Sequence, residues 1–211
     1  MARGAETHED PMTTMIEIER PAPTPTLAPA KQRILDTADV LFYDDGIRAV
    51  GVDRLISASS VTKATFYKHY RSKDRLIGEY VEHRHRQAVT ELADLVDEQD
   101  SAEDVLRALQ QSISIWISSP EFRGCPFINA AAEFSDPLHP VRRSVIAHRE
   151  WYVGALEALL REVGHPMAGE AADDLMLARD GAMTGGYAGD PIAASTALAR
   201  AFDRVIADAR A

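Results

Sequence analysis

The chain has 211 residues, of which 45% are hydrophobic and 27% are charged, so it is long enough for one or two domains with an ordinary hydrophobic core. Cys125 is its only cysteine, which excludes an internal disulfide and makes a reducing cytoplasm the expected compartment. No apolar run approaches the roughly 20 residues that a membrane-spanning helix needs. The net charge of −10 argues against a nucleic-acid partner, because phosphate contacts require Lys and Arg.

The net charge conceals an uneven distribution along the chain. Residues 1–28 carry 2 basic and 5 acidic side chains, and residues 87–211 carry 10 basic and 20 acidic ones. Residues 29–86 carry 11 basic and 8 acidic side chains and are the only part with a positive excess. An excess of this size is also found on ordinary solvated helix faces, but it restricts any DNA contact to this middle segment.

Residues 1–28 are predicted to form a mobile arm. Prolines alternate in residues 21–25, and alternating prolines remove backbone donors and keep the chain extended. The alternative is that Met15, Ile16 and Ile18 form one helical turn on the body.

Three short helices are predicted next, at about residues 29–45, 52–59 and 63–69. Pro29 suits the first turn of a helix, and Gly46 supplies the left-handed residue that ends it. Thr62 is the natural N-cap of the third helix, because its hydroxyl can accept a hydrogen bond from a free backbone N–H one turn in. Three helices in about 45 residues, the third short and polar at its start, are typical of a helix-turn-helix unit.

Six further helices are predicted from the helical spacing of apolar residues. The first follows the N-cap Ser72, keeps its period from Leu76 to Val96 and links two domains, and the second starts at Ser101. The other four are expected at about residues 125–134, 139–163, 167–188 and 188–209. No segment alternates with period two, so the sequence predicts an all-α protein.

One stretch of the helix-turn-helix unit carries a specific pattern. Residues 61–70 read VTKATFYKHY, and they are followed by Ser72, Lys73, Asp74 and Leu76. This pattern resembles the DNA-binding domain of the TetR family of one-component bacterial repressors. A later segment, GCPFINAAAEF at residues 124–134, resembles one subgroup of the ligand-binding domains of that family.

The resemblance implies a transcriptional regulator, most often a repressor, that binds a palindromic operator as a homodimer and is released by a small molecule. It implies an N-terminal three-helix helix-turn-helix domain at residues 29–75. A C-terminal helical-bundle domain at residues 76–211 would then dimerise and bind the effector. Such a dimer presents two recognition helices to major-groove faces about 34 to 36 Å apart.

The DNA-contacting residues are expected at the third helix, because a recognition helix places its N-terminal residues against base edges. Base contacts are expected from Thr62, Lys63, Ala64 and Thr65. Phosphate contacts are expected from Tyr67, Lys68, His69 and Lys73. Phe66 and Tyr70 are expected to pack inward.

Two residues depart from the family pattern. Gly51 stands where many members have Thr or Ser before the second helix, and it cannot offer a hydroxyl to a phosphate. Ser60 stands where many members have Gly in the turn before the recognition helix. We therefore expect Ser60 to adopt a positive φ at some cost in strain.

Two sets of residues in the C-terminal half are assigned to partner binding. Apolar stripes for a dimer interface are predicted at Tyr152, Leu156, Leu159, Leu198, Phe202 and Val205, with the alternative that several of them face only the core of their own chain. An effector site is predicted at Trp116, Phe127, Asn129, Glu133, Phe134, His148, Trp151, Met183 and Tyr187, and the expected ligand is largely apolar, aromatic or amphipathic. Aromatic residues at helical spacing are also common in cores, and Glu133 has the alternative of pairing with an Arg of the linking helix.

Two other classes of function remain alternatives. An enzyme would need Cys125 and His148 as nucleophile and base, and nothing in the sequence brings them together. His83 and His85 are two residues apart and point to different helix faces, so neither a metal nor a cofactor is predicted. The other alternative is a DNA-binding scaffold without a ligand, whose body would be packed without a cavity.

Overall fold

The computed structural model describes residues 16, 18–22 and 26–210, and every regular element in this part of the chain is a helix. The helices are α1 (Pro29–Asp45), α2 (Val52–Ala58), α3 (Lys63–Tyr70), α4 (Lys73–Glu98), α5 (Ala102–Ile117), α6 (Pro126–Ala132), α7 (Pro140–Glu162), α8 (Ala168–Ala188) and α9 (Pro191–Asp208). The predicted all-α class is confirmed. None of these helices is long and apolar enough to cross a bilayer.

The helix ends lie where the capping residues predict them. The hydroxyl of Thr62 accepts a hydrogen bond from the Thr65 N–H, and Ser72 and Ser101 cap α4 and α5 in the same way. Gly46 ends α1 with a φ of +90°, a conformation that costs glycine little. Local backbone chemistry therefore sets the boundaries of the elements that carry the site.

A small core holds α1, α2 and α3 against the first turns of α4. Phe66 and Tyr70 of α3 are fully buried in it, which confirms the prediction that they pack inward. Leu76 and Tyr80 of α4 are buried in the same cluster, and Tyr80 packs edge-on against Phe42 of α1. Because α4 continues beyond this unit for several turns, a displacement of α4 would displace the three-helix unit as well.

The predicted dimer stripes lie inside the monomer. Each of the six residues is less than a tenth exposed in the single chain, namely Tyr152, Leu156, Leu159, Leu198, Phe202 and Val205. They fill the core in which α7, α8 and α9 pack together. Their assignment to a dimer interface was wrong, because a helical apolar period reports burial without distinguishing a chain's own core from a partner.

The described part of the N-terminal arm lies against the body. The Ile16 N–H donates to Glu162 at the end of α7 at 2.8 Å, and Arg20 pairs with Asp94 of α4 at 2.6 Å. Neither Ile16 nor Ile18 lies in a helical turn, and both pack against the core. Met15 and residues 23–25 lie outside the described residues.

Candidate functional site

The start of α3 presents an exposed polar surface. Thr62, Lys63 and Ala64 are exposed in the first turn, and Tyr67 and Lys68 are exposed in the second. Thr65 and His69 are half-buried beside them. These residues lie on α3 or at its N-cap, and Phe66 and Tyr70 anchor this helix in the core, so the face is both accessible and rigid.

The two threonines of the first turn bind each other. Thr62 Oγ1 accepts from the Thr65 N–H at 3.1 Å and lies 2.8 Å from Thr65 Oγ1. Lys63, by contrast, forms no ion pair with any described residue. Its ammonium is therefore available for a base edge, whereas the threonine hydroxyls already hold the helix start.

Lys73 occupies a more enclosed position than the lysines of α3. Its Nζ lies 5.9 Å from the centre of the Phe42 ring at the start of α4. Burial lowers the pKa of its ammonium, while the carboxylates of Glu133 and Asp74 oppose that shift. It remains at a helix N-terminus, where free N–H groups attract anions.

The two departures from the family pattern have distinct structural consequences. Ser60 adopts a φ of +53°, which confirms the predicted strained turn. Gly51 is the N-cap of α2 with an ordinary φ of −77°, and no side chain caps this helix. A Cβ at Gly51 would meet nothing within 4 Å, so the position has room for a larger residue.

Both ends of α6 hold the end of α1 and the turn after it. At the C-terminal end, Glu133 Oε1 accepts from the Ile47 N–H at 2.7 Å and Oε2 accepts from the Arg48 N–H at 2.6 Å. At the N-terminal end, the Tyr43 hydroxyl donates to Gly124 O and accepts from the Arg123 N–H, both at 2.9 Å. We call these contacts the α6 clamp.

Sequence reasoning missed the α6 clamp. The predicted partners of Glu133 are a ligand or an Arg of α4, whereas in the structure its carboxylate accepts from two backbone N–H groups. The available signal was Ile47, an apolar residue directly after a helix end, whose buried N–H requires an acceptor. A carboxylate that accepts two backbone N–H groups satisfies that requirement at this domain boundary.

A cavity of about 490 Å³ lies between α4, α5, α6, α7 and α8. Three of the nine predicted effector residues line it, namely Trp116, Phe127 and Met183. Arg84 and Arg179 also line it and were not predicted to, because charged residues on amphipathic helices usually face solvent. The cavity therefore combines aromatic and aliphatic walls with two guanidinium groups.

The other predicted effector residues near α6 have partners elsewhere. Asn129 donates to the Arg123 carbonyl at 2.7 Å, and Glu133 belongs to the α6 clamp. The Phe134 ring stacks on His139, and Tyr187 is 58% exposed. None of these four lies in the wall of the cavity.

His148 and Trp151 form an aromatic cluster behind the cavity wall. The His148 ring stacks on Phe127 with 3.4 Å between centres, and Trp151 packs edge-on against His85. The Nδ1 atoms of His148 and His85 lie 3.1 Å apart, so one ring donates to the other. Burial lowers the pKa of His148 to about 3, and the positive charge of Arg179 acts in the same direction. His148 is therefore neutral.

Arg84 connects the cavity with α1. Its Nε lies 2.6 Å from Asp39 Oδ1, and its guanidinium lies over the Tyr43 ring at 4.9 Å. Burial raises the pKa of Asp39, and the charge of Arg84 opposes that shift. The cavity is thus joined to α1 by this ion pair as well as by the α6 clamp.

The described residues contain no cluster of three or more His, Cys, Asp or Glu side chains that could hold a metal ion. The Cys125 thiol lies 3.9 Å from Arg179 Nη1. His148 is bonded to His85 instead of to this thiol.

Comparisons with known proteins agree with this arrangement. Residues 34–80 match the family model described as bacterial regulatory proteins of the tetR family. A TetR-family transcriptional regulator from Streptomyces coelicolor is 38% identical, and the superposition covers 87% of this chain and 97% of that one with a TM-score of 0.83. An uncharacterised HTH-type transcriptional regulator of Mycobacterium tuberculosis is 28% identical over 163 residues, which are 68% of this chain and 80% of that protein. A transcriptional regulator of the TetR family from Agrobacterium tumefaciens shares the fold at 21% identity. The superposition covers 84% of this chain and 98% of that one with a TM-score of 0.75.

Proposed function

This chain belongs to the TetR family of transcriptional regulators, and we propose that it is a repressor that binds a palindromic operator as a homodimer and leaves it when a small molecule binds. Members of this family bind DNA and are not enzymes. We assign DNA binding to residues 29–75, and effector binding and dimerisation to residues 76–211, with α4 crossing the boundary.

Base contacts are proposed for Thr62, Lys63, Ala64 and Thr65. Lys63 is the strongest candidate, because its ammonium is exposed and unpaired among the described side chains. Tyr67, Lys68, His69 and Lys73 would contact phosphates, with Lys73 acting from the start of α4.

The dimer interface is proposed on the face that α8 and α9 expose together. Its residues are small or apolar, namely Leu177, Gly181, Gly185, Ile192, Ala193 and Ala197. Leu177 is 65% exposed and Ile192 is 77% exposed, so this face combines exposed apolar side chains with small residues. Small residues allow helices of two subunits to approach closely, as a four-helix interface requires.

The observation that carries the proposed effector response is the position of α6. Phe127 of α6 lines the cavity, and the α6 clamp holds α1 of the DNA-binding unit. A ligand that displaces Phe127 would therefore act on α1 through a helix of only seven residues. A body that served only as a scaffold would be packed to the usual interior density, so a cavity of about 490 Å³ favours an effector.

The DNA-binding part of the proposal is tested with sequences that the purified protein selects from a random pool. We expect a palindrome whose half-sites are about one helical turn apart. Lys63→Ala should lose discrimination at one position by about 1 to 3 kcal/mol, whereas Lys68→Ala should weaken binding to all sequences alike. An unchanged specificity ratio in Lys63→Ala would remove Lys63 from the base-reading set. Repression is tested by placing the selected site in a reporter promoter.

The dimer is tested by sedimentation of Ala197→Arg, which places a charge on the exposed α8–α9 face. We expect a monomer that no longer binds the full operator. Ile115→Arg is the matched control, because Ile115 is 65% exposed on α5, away from this face. The Ile115→Arg protein should remain dimeric. A dimeric Ala197→Arg protein would place the interface elsewhere.

The effector response is tested by screening amphipathic aromatic compounds by thermal shift and tryptophan fluorescence. Because Trp116 lines the cavity, a compound that binds there should change the emission of the wild-type protein. The change should be much smaller in Trp116→Phe, in which Trp151 remains. Such compounds must also release the selected DNA, and stabilisation without release would refute the effector role.

A further inference from the structure

The cavity contains a buried positive charge that the surrounding chain satisfies only in part. Arg179 of α8 is 6% exposed, and its Nε is buried without a hydrogen-bond partner. Its Nη1 lies 3.2 Å from Asp180 Oδ1 and 3.9 Å from the Cys125 thiol, and its guanidinium lies over the Tyr152 ring at 4.7 Å. Arg keeps its proton in proteins, so this group cannot escape the cost of burial by becoming neutral.

The single carboxylate beside Arg179 is shared with a second cation. Asp180 also forms an ion pair with Arg149, and in the described part of the chain no other carboxylate lies within 4 Å of Arg179. Two guanidinium groups therefore face one carboxylate, which leaves one positive charge in excess. The neutral state of His148 agrees with this, because burial and then the charges of Arg179, His85 and Arg149 lower its pKa to about 3.

The remaining charges of the cavity are either paired or exposed. Arg84 is balanced by Asp39 at 2.6 Å, and Asp94 is paired with Arg20. Glu91 lies in the wall at an exposed position, where water and salt screen its charge, and the partial burial of its carboxyl raises its pKa. The strongest uncompensated charge of the cavity is thus the buried one of Arg179.

We propose that the effector is an amphipathic organic carboxylate whose carboxylate binds Arg179 and whose apolar body contacts Trp116, Phe127 and Met183. This inference rests on the proposed effector role of the cavity. A planar guanidinium with a free Nε matches the geometry of a carboxylate, and charge-assisted hydrogen bonds of this kind are among the strongest in proteins. A volume of about 490 Å³ accommodates a small aromatic or medium-chain acid.

The test compares three compounds of the same shape by calorimetry on the full chain. These are biphenyl-4-carboxylate, its neutral amide biphenyl-4-carboxamide and the cation 4-phenylbenzylamine. We expect the acid to bind at least about tenfold more tightly than the amide, because a hydrogen bond to a charged partner is roughly twice as strong as a neutral one. We expect the amine to bind most weakly.

Two variants assign the preference to a residue. In Arg179→Met the affinities for the acid and the amide should become about equal. Asp180 keeps its ion pair with Arg149 in this variant, so no carboxylate is left unpaired. Arg149→Met is the matched control, because the substitution removes a cation from the same carboxylate at a residue that does not line the cavity. The Arg149→Met protein should still prefer the acid to the amide. Arg179→Gln replaces Arg179→Met if the methionine variant does not fold.

The outcomes separate this inference from the proposed function. Equal binding of acid and amide, tighter binding of the amine, no binding of any of the three, or a preference that survives in the Arg179 variants would each overturn the carboxylate assignment. If acid and amide bind equally and both release operator DNA, the proposed effector response stands and the ligand class is wrong. If the acid binds through Arg179 but leaves DNA binding unchanged, the ligand class stands and the effector response is refuted.

Discussion

Replacement of Glu133 by Gln tests whether the α6 clamp transmits the effector signal. The carboxylate of Glu133 accepts from the N–H groups of Ile47 and Arg48 at 2.7 and 2.6 Å. A carboxamide keeps one acceptor oxygen, which should stay with Ile47 because this residue is buried, whereas the exposed Arg48 can turn its N–H to water. Two hydrogen bonds to a charged group thus become one neutral bond.

The expected loss follows from these bonds. Hydrogen bonds to charged groups contribute about 1.5 to 3 kcal/mol and neutral ones about 0.5 to 1.5 kcal/mol, and the released N–H regains water. We therefore expect Glu133→Gln to lower the free energy of unfolding by about 2 to 5 kcal/mol. Glu133→Ala should cost more, because the buried N–H of Ile47 would be left without a partner.

The decisive measurement is the effect of a cavity-binding compound on operator affinity. Such coupling is typically about 1 to 3 kcal/mol, and loss of the clamp should reduce it several-fold while effector affinity and operator affinity without effector change little. Glu121→Gln is the control, because Glu121 is exposed and accepts no hydrogen bond within the described residues. A Glu133→Gln protein with the full wild-type response would refute the clamp as the route of coupling.

Three further predictions concern the DNA-binding unit and the aromatic cluster. Gly51→Thr should stabilise α2 by a few tenths to about 1 kcal/mol in urea unfolding and should strengthen operator binding, because the position has room and lacks a capping side chain. A variant with lower stability and weaker operator binding would contradict the open geometry. Ser60→Gly should raise the melting temperature, because its φ of +53° costs a serine about 1 kcal/mol, whereas Ser57→Gly within α2 should lower it. The pKa of His148 in the folded chain lies below its unfolded value of about 6.5, so the unfolded chain binds more protons. The free energy of unfolding should therefore fall as the pH drops from about 6.5 towards 3, by at most about 1.4 kcal/mol per pH unit. Unfolding of His148→Phe between pH 4 and 7 should show a smaller slope, and an unchanged slope would assign the effect to other groups.

The helix boundaries could be predicted because they depend on local chemistry. The hydroxyls of Thr62, Ser72 and Ser101 accept hydrogen bonds from their own helices, and each is recognisable from residues within one turn. The strained turn at Ser60 was predictable for the same reason, since a turn of fixed geometry requires a positive φ whichever residue occupies it. These caps and this turn depend on neighbouring residues and do not require knowledge of tertiary packing.

The partners of charged residues could not be predicted in the same way. Arg179 lies at helical spacing from Leu175 and Met183, so the pattern places it on the buried face of α8, but the groups that surround it there depend on how α8 packs against other helices. Glu133 binds backbone groups that lie more than 80 residues away, and backbone N–H groups leave no mark in a side-chain pattern. The dimer stripes failed for a related reason, because apolar periodicity predicts burial, whereas the interface proposed on the exposed α8–α9 face is marked by small residues such as Gly185 and Ala197.

Besides the continuous helix α4, the two polar connections described above between the cavity region and the DNA-binding unit end on α1 or on the turn that follows it. Arg84 in the cavity wall pairs with Asp39 in the middle of α1, and Glu133 holds Ile47 just beyond its end. The recognition helix α3 contacts neither group and depends on the core it shares with α1 and α4. An effector would therefore change the orientation of the whole three-helix unit and leave the geometry of α3 intact. Binding of a single half-site should then be little affected by the effector, whereas binding of the full palindrome, which requires a fixed spacing of the two recognition helices, should be lost.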